Sequence, residues 1–344
     1  NRLMEFKTYS SPQLPVANNV DVLMQRVLLA LLPGTICAFW IFGCVVIFKI
    51  LLACITALAA EATILRLRNR PAFTTLRDGS ALVPAVRLAQ ALPPLAPWWI
   101  PVIGSLFAIV IAKQLYGGLG YNPFNPAMAG YVVLLISFPL ELTLWSAPGA
   151  HPNFLDTLAL VFTGQLPVGQ SLDTITQATP MDSIKTRLGL SETLSEIHGS
   201  PLFGHFAGAG WEWINLWFLL GGLWLLQMKV IQWHIPAGML GGLAAIALVF
   251  YAINPDIFST PLFQLFSGAA MLGAFFIATD PVSACTTPRG RIYYGIGIGL
   301  LTYIVRTWGG YPDGVAFAVL LMNLAAPTID HYTRPRVFGH GDRE

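Results

Sequence analysis

Long apolar stretches separated by short polar segments fill most of the 344-residue chain, on both sides of one long polar interval at 139–210. A helix that crosses the hydrocarbon core of a membrane, about 30 Å thick, needs about 20 apolar residues. Apolar runs of this length and number predict an all-α polytopic membrane protein. We expect ten spans, at about 26–42, 44–65, 79–92, 100–115, 126–138, 211–228, 235–253, 262–279, 292–308 and 314–329.

Proline and glycine predict irregular backbone at two places, one within the first span and one between the fourth and fifth spans. Pro33-Gly34 predicts a break in the first span, and the stretch 117–126 (GGLGYNPFNP) cannot be a regular helix. Irregular backbone at membrane depth is tolerated only where it is buried in protein or lines a cavity. The second stretch, with Asn122 and Asn125, is therefore either a candidate binding site or a simple helix hinge.

Basic residues predict the orientation of the chain in the membrane. With ten spans, the clusters at 66–70, 289–291 and 334–343 all fall on one side, which the positive-inside rule assigns to the cytoplasm. The chain then divides into a cytoplasmic N-terminal segment, a first five-helix repeat, a periplasmic loop, a second five-helix repeat and a cytoplasmic tail. Their boundaries are 1–22, 23–138, 139–210, 211–330 and 331–344.

The two halves carry similar motifs in the same order. Residues 78–81 (DGSA) are echoed by 280–284 (DPVSA), and 116–118 (YGG) by 308–310 (WGG). Because five helices per half is an odd number, related halves would be inverted in the membrane, as in transporters with interrupted helices. The alternative is chance recurrence in a chain that holds 32 glycines and 25 prolines.

Composition supports the membrane class and limits the cofactors. Only 10% of the residues are charged and the net charge is +2, so a nucleic-acid partner is not expected. The four cysteines form no CxxC pair and the six histidines show no ligand spacing, so no metal site or haem is expected within the chain.

Ionisable residues within or beside the spans are candidates for an ion path, because intramembrane charge is costly. Asp78 and Asp280 are the best candidates, since each is followed by glycine or proline in the echoed motifs. Capping of a helix N-terminus is the competing interpretation for Asp78. The other ionisable residues of this kind are Lys49, Glu61, Lys113, Arg306, Asp313 and Asp330.

One segment of the long polar interval, 173–181 (DTITQATPM), resembles the acceptor signature of flavin transferases. These enzymes attach FMN through its phosphate to a threonine hydroxyl. The signature would be formed by Asp173, Thr176 and Ala178, with Thr179 as the acceptor. Gln177 stands where glycine is usual, and an ordinary threonine-rich turn before Pro180 is the alternative.

A wider resemblance rests on three C-terminal stretches, 278–284 (ATDPVSA), 287–291 (TPRGR) and 309–323 (GGYPDGVAFAVLLMN). Together with 77–81, 122–126 and 335–340, they are similar to the D subunits of Rnf complexes, the ion-translocating ferredoxin:NAD oxidoreductases of bacteria. The B subunits of sodium-translocating NADH:quinone reductases are more distantly similar. The resemblance extends over essentially the whole chain.

The resemblance implies a multi-pass subunit of the bacterial inner membrane that passes electrons between ferredoxin and NAD, coupled to Na⁺ or H⁺ transport. It implies covalent FMN on Thr179, attached by a separate flavin transferase. It also implies a noncovalent riboflavin, for which Asn122 and Asn125 are the candidate contacts, and partnership with the other Rnf subunits. Two other functions stay open: a solute transporter or channel without redox chemistry, and a structural membrane anchor.

Overall fold

The computed structural model describes residues 20–149, 154–164, 175–311 and 313–335, and the predicted all-α architecture is confirmed. Apolar side chains face neighbouring helices or the surrounding lipid, while backbone groups bond within each helix. The helices are α1 Val20–Phe42, α2 Val45–Leu67, α3 Ala72–Leu76, α4 Leu82–Ala91, α5 Trp99–Leu106, α6 Pro126–Ser137, α7 Phe154–Thr163, α8 Pro180–Gly189, α9 Leu194–His198, α10 Trp211–Gln227, α11 His234–Ile253, α12 Pro261–Phe266, α13 Ala270–Leu272, α14 Pro288–Trp308 and α15 Val315–Thr333.

Helices occupy all ten predicted spans, but in the described part of the chain only four, α1, α2, α11 and α15, are long and apolar enough to cross a membrane by themselves. The others are shorter, broken or more polar. Two continue as π-helix: α5 through Phe107–Gln114 and α13 through Gly273–Ile277. The predicted break at Pro33-Gly34 is wrong, because α1 runs through both residues without interruption.

The two halves pack in the same pattern. In the first half α2 packs against α4 and α5, and in the second half α11 packs against α12 and α14. The opening helices of the halves, α1 and α10, pack against each other, as do their closing helices, α6 and α15. Like elements that meet across an interface are expected when a two-fold axis relates two repeats, as the inverted five-plus-five arrangement requires.

The structure corrects one part of the predicted repeat. Asp78 precedes the third membrane helix of its half, α4, whereas Asp280 follows the third helix of the other half. The counterpart of Gly79-Ser80 is instead Ser267-Gly268, because each pair lies at the break between a short helix and the next one. The first pair separates α3 from α4, and the second separates α12 from α13. Gly79 and Gly268 adopt left-handed φ values of 72° and 59°, which allow the chain to turn there.

The two halves meet where their helices are interrupted. The break before α6 reaches the end of the second π-helix, where the Asn125 amide donates a hydrogen bond of 3.0 Å to the Ile277 carbonyl. Both residues are buried. This hydrogen bond pairs a side chain at one break with a backbone carbonyl at the other. Polar groups of the irregular backbone thus find partners inside the protein.

The long polar interval is not a structureless loop. It contains the apolar helix α7 and the short helices α8 and α9, none of which was predicted. Isolated β-bridges join Ser146 to Thr176 and Phe203 to Gly208. These bridges hold the interval together, and the Gly149 amide joins it to α1 by donating to the Ile41 carbonyl at 2.9 Å.

The crossing of α1 and α10 depends on Gly221. A Cβ atom placed there would overlap the Ala30 carbonyl oxygen, so the two backbones touch. We predict that Gly221→Val costs at least about 1–3 kcal/mol, the usual cost of overpacking, because the helices must separate. Thermal unfolding in detergent measures this cost.

Gly241→Val is the matched control on α11, since no atom lies within 4 Å of its Cβ position. Equal loss of stability in both variants would contradict the close crossing.

Thiol labelling tests the predicted orientation of the chain in the membrane. Ser195 on α9 and Arg68 after α2 are both exposed, and they fall on opposite sides of the membrane in the ten-span topology. In a variant without native cysteines, we expect Ser195→Cys to react with an impermeant thiol reagent in whole cells and Arg68→Cys to react only after lysis. The reverse pattern would invert the topology.

Candidate functional site

Thr179 lies at the N-terminus of α8, as the residue that caps the helix. Its hydroxyl accepts a hydrogen bond of 3.2 Å from the Asp182 amide, and Pro180 occupies the first helical position. Threonine followed by proline favours this start, because the hydroxyl meets a free amide and proline has no N–H to lose. The half-buried hydroxyl therefore stands at the positive end of a ten-residue helix.

A cavity of about 220 Å³ opens beside Thr179. Its aromatic wall contains Trp145 and Trp211, whose rings pack edge to face with centroids 4.7 Å apart. Ser146 also lines the cavity, and its buried hydroxyl has no hydrogen-bond partner within the described residues. The site thus offers aromatic surface and an unused polar group next to the candidate acceptor.

Backbone contacts hold the acceptor segment against this wall. The Gln177 amide donates to the Trp145 carbonyl at 2.8 Å, and Thr176 forms the β-bridge with Ser146. The segment therefore runs beside 145–146 like a short added strand. Gln177 takes part through its backbone, so this contact does not require glycine at that position.

The buried carboxylate of Glu212 holds the turn that packs against Pro180. It accepts hydrogen bonds from the Phe206 and Ala207 amides at 3.2 and 3.4 Å. The same turn brings Gly208 so close to Pro180 that a Cβ atom there would overlap the proline ring. Glu212 consequently helps to fix the start of α8.

Lys185 connects α8 to the second repeat. Its ammonium donates to the Tyr311 carbonyl at 2.9 Å, in the segment between α14 and α15. Lys185 is half-buried, and this burial lowers the pKa of its ammonium. The helix that carries Thr179 is thus attached directly to an interrupted region of the membrane domain.

The other residues of the acceptor signature differ in position. Thr176 is half-buried in the β-bridge, whereas Ala178 is exposed at the edge of the cavity. Asp173 lies outside the described residues.

The residues around Thr179 fit a phosphate-linked flavin. A helix N-terminus favours a phosphate group, tryptophan faces pack against flat rings, and the Ser146 hydroxyl lacks a partner among the residues described. At about 220 Å³ the cavity is smaller than a typical small-molecule site of about 300–1,000 Å³, and the exposed Ala178 lies at its edge.

A second cavity, of about 130 Å³, lies between the two repeats at the cytoplasmic side of the predicted topology. We name it the inner cavity. Small-molecule sites usually measure about 300–1,000 Å³, so a flavin would have to displace side chains to enter. Its polar lining consists of Ser80, Arg87, Lys113, Asn122, Thr279 and Asp280.

The structure separates Asn122 from Asn125. Asn122 is buried and lines the inner cavity, where its amide donates to the Phe124 carbonyl at 2.9 Å. The Asn125 side chain caps α6 by accepting from the Ala127 and Met128 amides, and it also donates to Ile277. Three of its hydrogen-bonding positions are therefore used by the fold, which leaves little for a ligand.

The two aspartates proposed for an ion path are also separated. Asp78 accepts the Ser80 amide at 2.7 Å in the turn before α4. The N-cap of α4 is Ala81, which has no side-chain cap hydrogen bond, so Asp78 does not cap that helix. Asp280 lines the inner cavity, 3.7 Å from the Arg87 guanidinium. Of the pair, only Asp280 reaches a cavity that both repeats share.

Sequence reasoning missed several of these residues. Arg87 had a usable signal, because an arginine within the apolar helix α4 is an intramembrane charge like Lys113. Trp145, Ser146 and Glu212 had none, since their importance arises from tertiary contacts with the acceptor segment.

The fold and the site define a class: a polytopic helical membrane protein with interrupted helices in two halves and an extramembrane helix that presents a threonine at a cavity. The comparison with protein families is specific. Residues 7–339 match the model of the NQR2, RnfD, RnfE family, and the chain belongs to this family.

Curated relatives cover nearly the whole chain, and they are named as the D subunits of ion-translocating oxidoreductase complexes. The relative from Aliivibrio salmonicida is 51% identical, over 98% of this chain and 99% of its own. That of Alcanivorax borkumensis is 54% identical over 98% of both chains. That of Yersinia pseudotuberculosis is 53% identical over 96% of this chain and 97% of its own. By family membership this chain is a membrane subunit of an oxidoreductase complex.

The different roles of the two asparagines yield a prediction. Asn125→Leu should lower stability by about 2–4 kcal/mol, because it removes a helix cap and leaves the Ile277 carbonyl unpaired in the core. Asn122→Leu should cost less than about 1.5 kcal/mol, since it removes one local hydrogen bond.

Thermal unfolding of both purified variants measures the difference. Equal losses would show that Asn125 does not hold the two breaks together.

Proposed function

We propose that the chain is the membrane electron-transfer subunit of a redox-driven ion-translocating complex, which passes electrons between ferredoxin and NAD coupled to Na⁺ or H⁺ transport. The observation that carries the proposal is the position of Thr179, at a helix N-terminus beside an aromatic cavity. Membership of the family supports the same class of complex.

The covalent cofactor proposed for Thr179 is FMN. The hydroxyl oxygen of Thr179 would become the bridging atom of the phosphoester, and the amides at the start of α8 would face the phosphate. Trp145 and Trp211 would provide the surface against which the ring rests, with Ser146 as a hydrogen-bond partner. FMN supplies the redox chemistry, whereas these residues hold it and set its surroundings.

A flavin transferase is required as a maturation partner, because a threonine hydroxyl is a poor nucleophile unless a base activates it. Among the described residues, those that line the cavity beside Thr179 include no histidine and no carboxylate. The exposed Ala178 leaves the acceptor open to a separate enzyme.

The second cofactor proposed is noncovalent riboflavin in the inner cavity. Asn122, Arg87 and Asp280 offer donors and acceptors that match the polar edge of a flavin ring. The Arg87 Nε–H has no partner among the described residues, which supports a ligand here. Entry requires the cavity to widen, and Asn125 would serve only to hold the adjoining break in place.

Two other functions compete with this proposal. A solute transporter or channel would share the interrupted repeats, and a structural anchor would share the membrane helices. Neither requires a threonine at the edge of an aromatic cavity. The proposed setting is the bacterial inner membrane, with both termini in the cytoplasm, the 139–210 segment in the periplasm and other subunits of the complex as partners.

Thr179→Ala tests the covalent attachment. We expect complete loss of covalent flavin, with a cost in stability of only about 0.5–2 kcal/mol from the lost helix cap. Flavin fluorescence after denaturing electrophoresis and intact mass measure the adduct.

Thr260 is a matched control, because it caps α12 before Pro261 and accepts the Phe263 amide at 3.2 Å. Thr260→Ala should lose the same cap and keep the flavin. Fluorescence that persists in Thr179→Ala, or disappears in Thr260→Ala, would contradict the assignment.

A further inference from the structure

Each repeat buries a cation near the end of its fourth membrane helix, next to the Gly-Gly motif. In the second repeat this cation is Arg306, which donates to the Gln264 and Ser267 carbonyls at 2.6 and 3.1 Å. Its ion pair with Asp313 measures 3.2 Å. Arg306 thereby neutralises carbonyls exposed by the break between α12 and α13.

The equivalent cation in the first repeat is Lys113. Its ammonium lies 2.6 Å from Glu61 Oε1 and 2.8 Å from the Ser80 hydroxyl, and Gln114 donates to the same carboxylate oxygen at 2.6 Å. Ser80 lies at the break before α4, as Ser267 does before α13. Glu61, Lys113 and Gln114 are at most 2% exposed.

The two clusters differ in their acceptor atoms. In the second, both Asp313 oxygens and the Gln264 amide oxygen accept hydrogen bonds. The groups there that have no partner among the described residues are the neutral hydroxyls of Ser267 and Thr302. In the first, Glu61 Oε2 and Gln114 Oε1 are buried and accept nothing from the residues described. Buried acceptors are nearly always satisfied, so this cluster lacks a donor or a cation.

We propose that Glu61 and Gln114 form a loading site for a monovalent cation, a proton or Na⁺. Carboxylate and amide oxygens are the ligands that hard cations prefer. Access is available from the inner cavity, because Lys113 and Ser80 line it. This inference rests on the proposed function as an ion-translocating subunit and names the place where the ion enters.

Charge balance defines how the site works. Glu61 and Lys113 together are neutral, and an added cation would leave an uncompensated charge inside the protein. The incoming cation must therefore displace the charge of the Lys113 ammonium from the cluster into the inner cavity, which Lys113 lines. The remaining charged groups that line the inner cavity, Arg87 and Asp280, already form their own pair.

The test measures electron transfer through the purified complex as a function of Na⁺ at constant ionic strength, and of pH. Wild type is compared with Glu61→Gln, Lys113→Met and the double variant. Asp313→Asn is the matched control, because it changes the equivalent carboxylate of the second repeat. Covalent flavin is measured in every sample, so that failure of the proposed redox function is recognised separately.

For a Na⁺ site, Glu61→Gln should weaken the Na⁺ response at least tenfold, and Lys113→Met should lower the half-saturating Na⁺ concentration at least threefold. For a proton site, Na⁺ has no effect. Glu61→Gln should then remove one limb of the pH profile of electron transfer, and Lys113→Met should displace that limb.

Unchanged Na⁺ and pH responses in Lys113→Met and the double variant would overturn the proposal and assign water to the unpaired oxygens. The same conclusion follows if Asp313→Asn alters these responses as much as Glu61→Gln. Lys113→Met keeps the Glu61 carboxylate, so its Na⁺ and pH responses test the proposal even if Glu61→Gln fails to assemble.

Discussion

Interrupted helices within a membrane leave backbone groups that no water can satisfy, and the rest of this structure depends on how those groups find partners. Asn125 joins the break before α6 to the end of the second π-helix. Arg306 covers the carbonyls at the break between α12 and α13. The inner cavity lies where these irregular segments from both halves come together, because packing there cannot be as regular as between straight helices.

The same constraint links the extramembrane site to the membrane domain. Lys185 of α8 bonds to Tyr311, which lies two residues before Asp313, the partner of Arg306. The helix capped by Thr179 is therefore bonded to the segment that carries Asp313. A change in charge at Thr179 would therefore act on the segment between α14 and α15 through Lys185, which is itself partly buried.

Much of the fold was predictable because hydropathy reports burial in lipid directly. All ten apolar stretches became helices. The helix start at Thr179-Pro180 was not predicted, although that residue pair favours one. Pro33 misled the prediction because its neighbour Gly34 packs against Phe218, and tertiary contact keeps α1 continuous. The similarity of 78–81 to 280–284 also misled, since matching letters can occupy different places in a repeat. Hydropathy carried no information about which buried charges share a pocket, so the Glu61–Lys113 contact required the structure.

The central claim is that this membrane subunit carries a redox cofactor on Thr179. The most direct measurement is the mass of the peptide that contains Thr179, isolated from protein produced in its native membrane together with its flavin transferase. We predict that this peptide carries one FMN in phosphoester linkage and that fragmentation places it on Thr179. An unmodified peptide, or an FMN located on another residue, would contradict this claim.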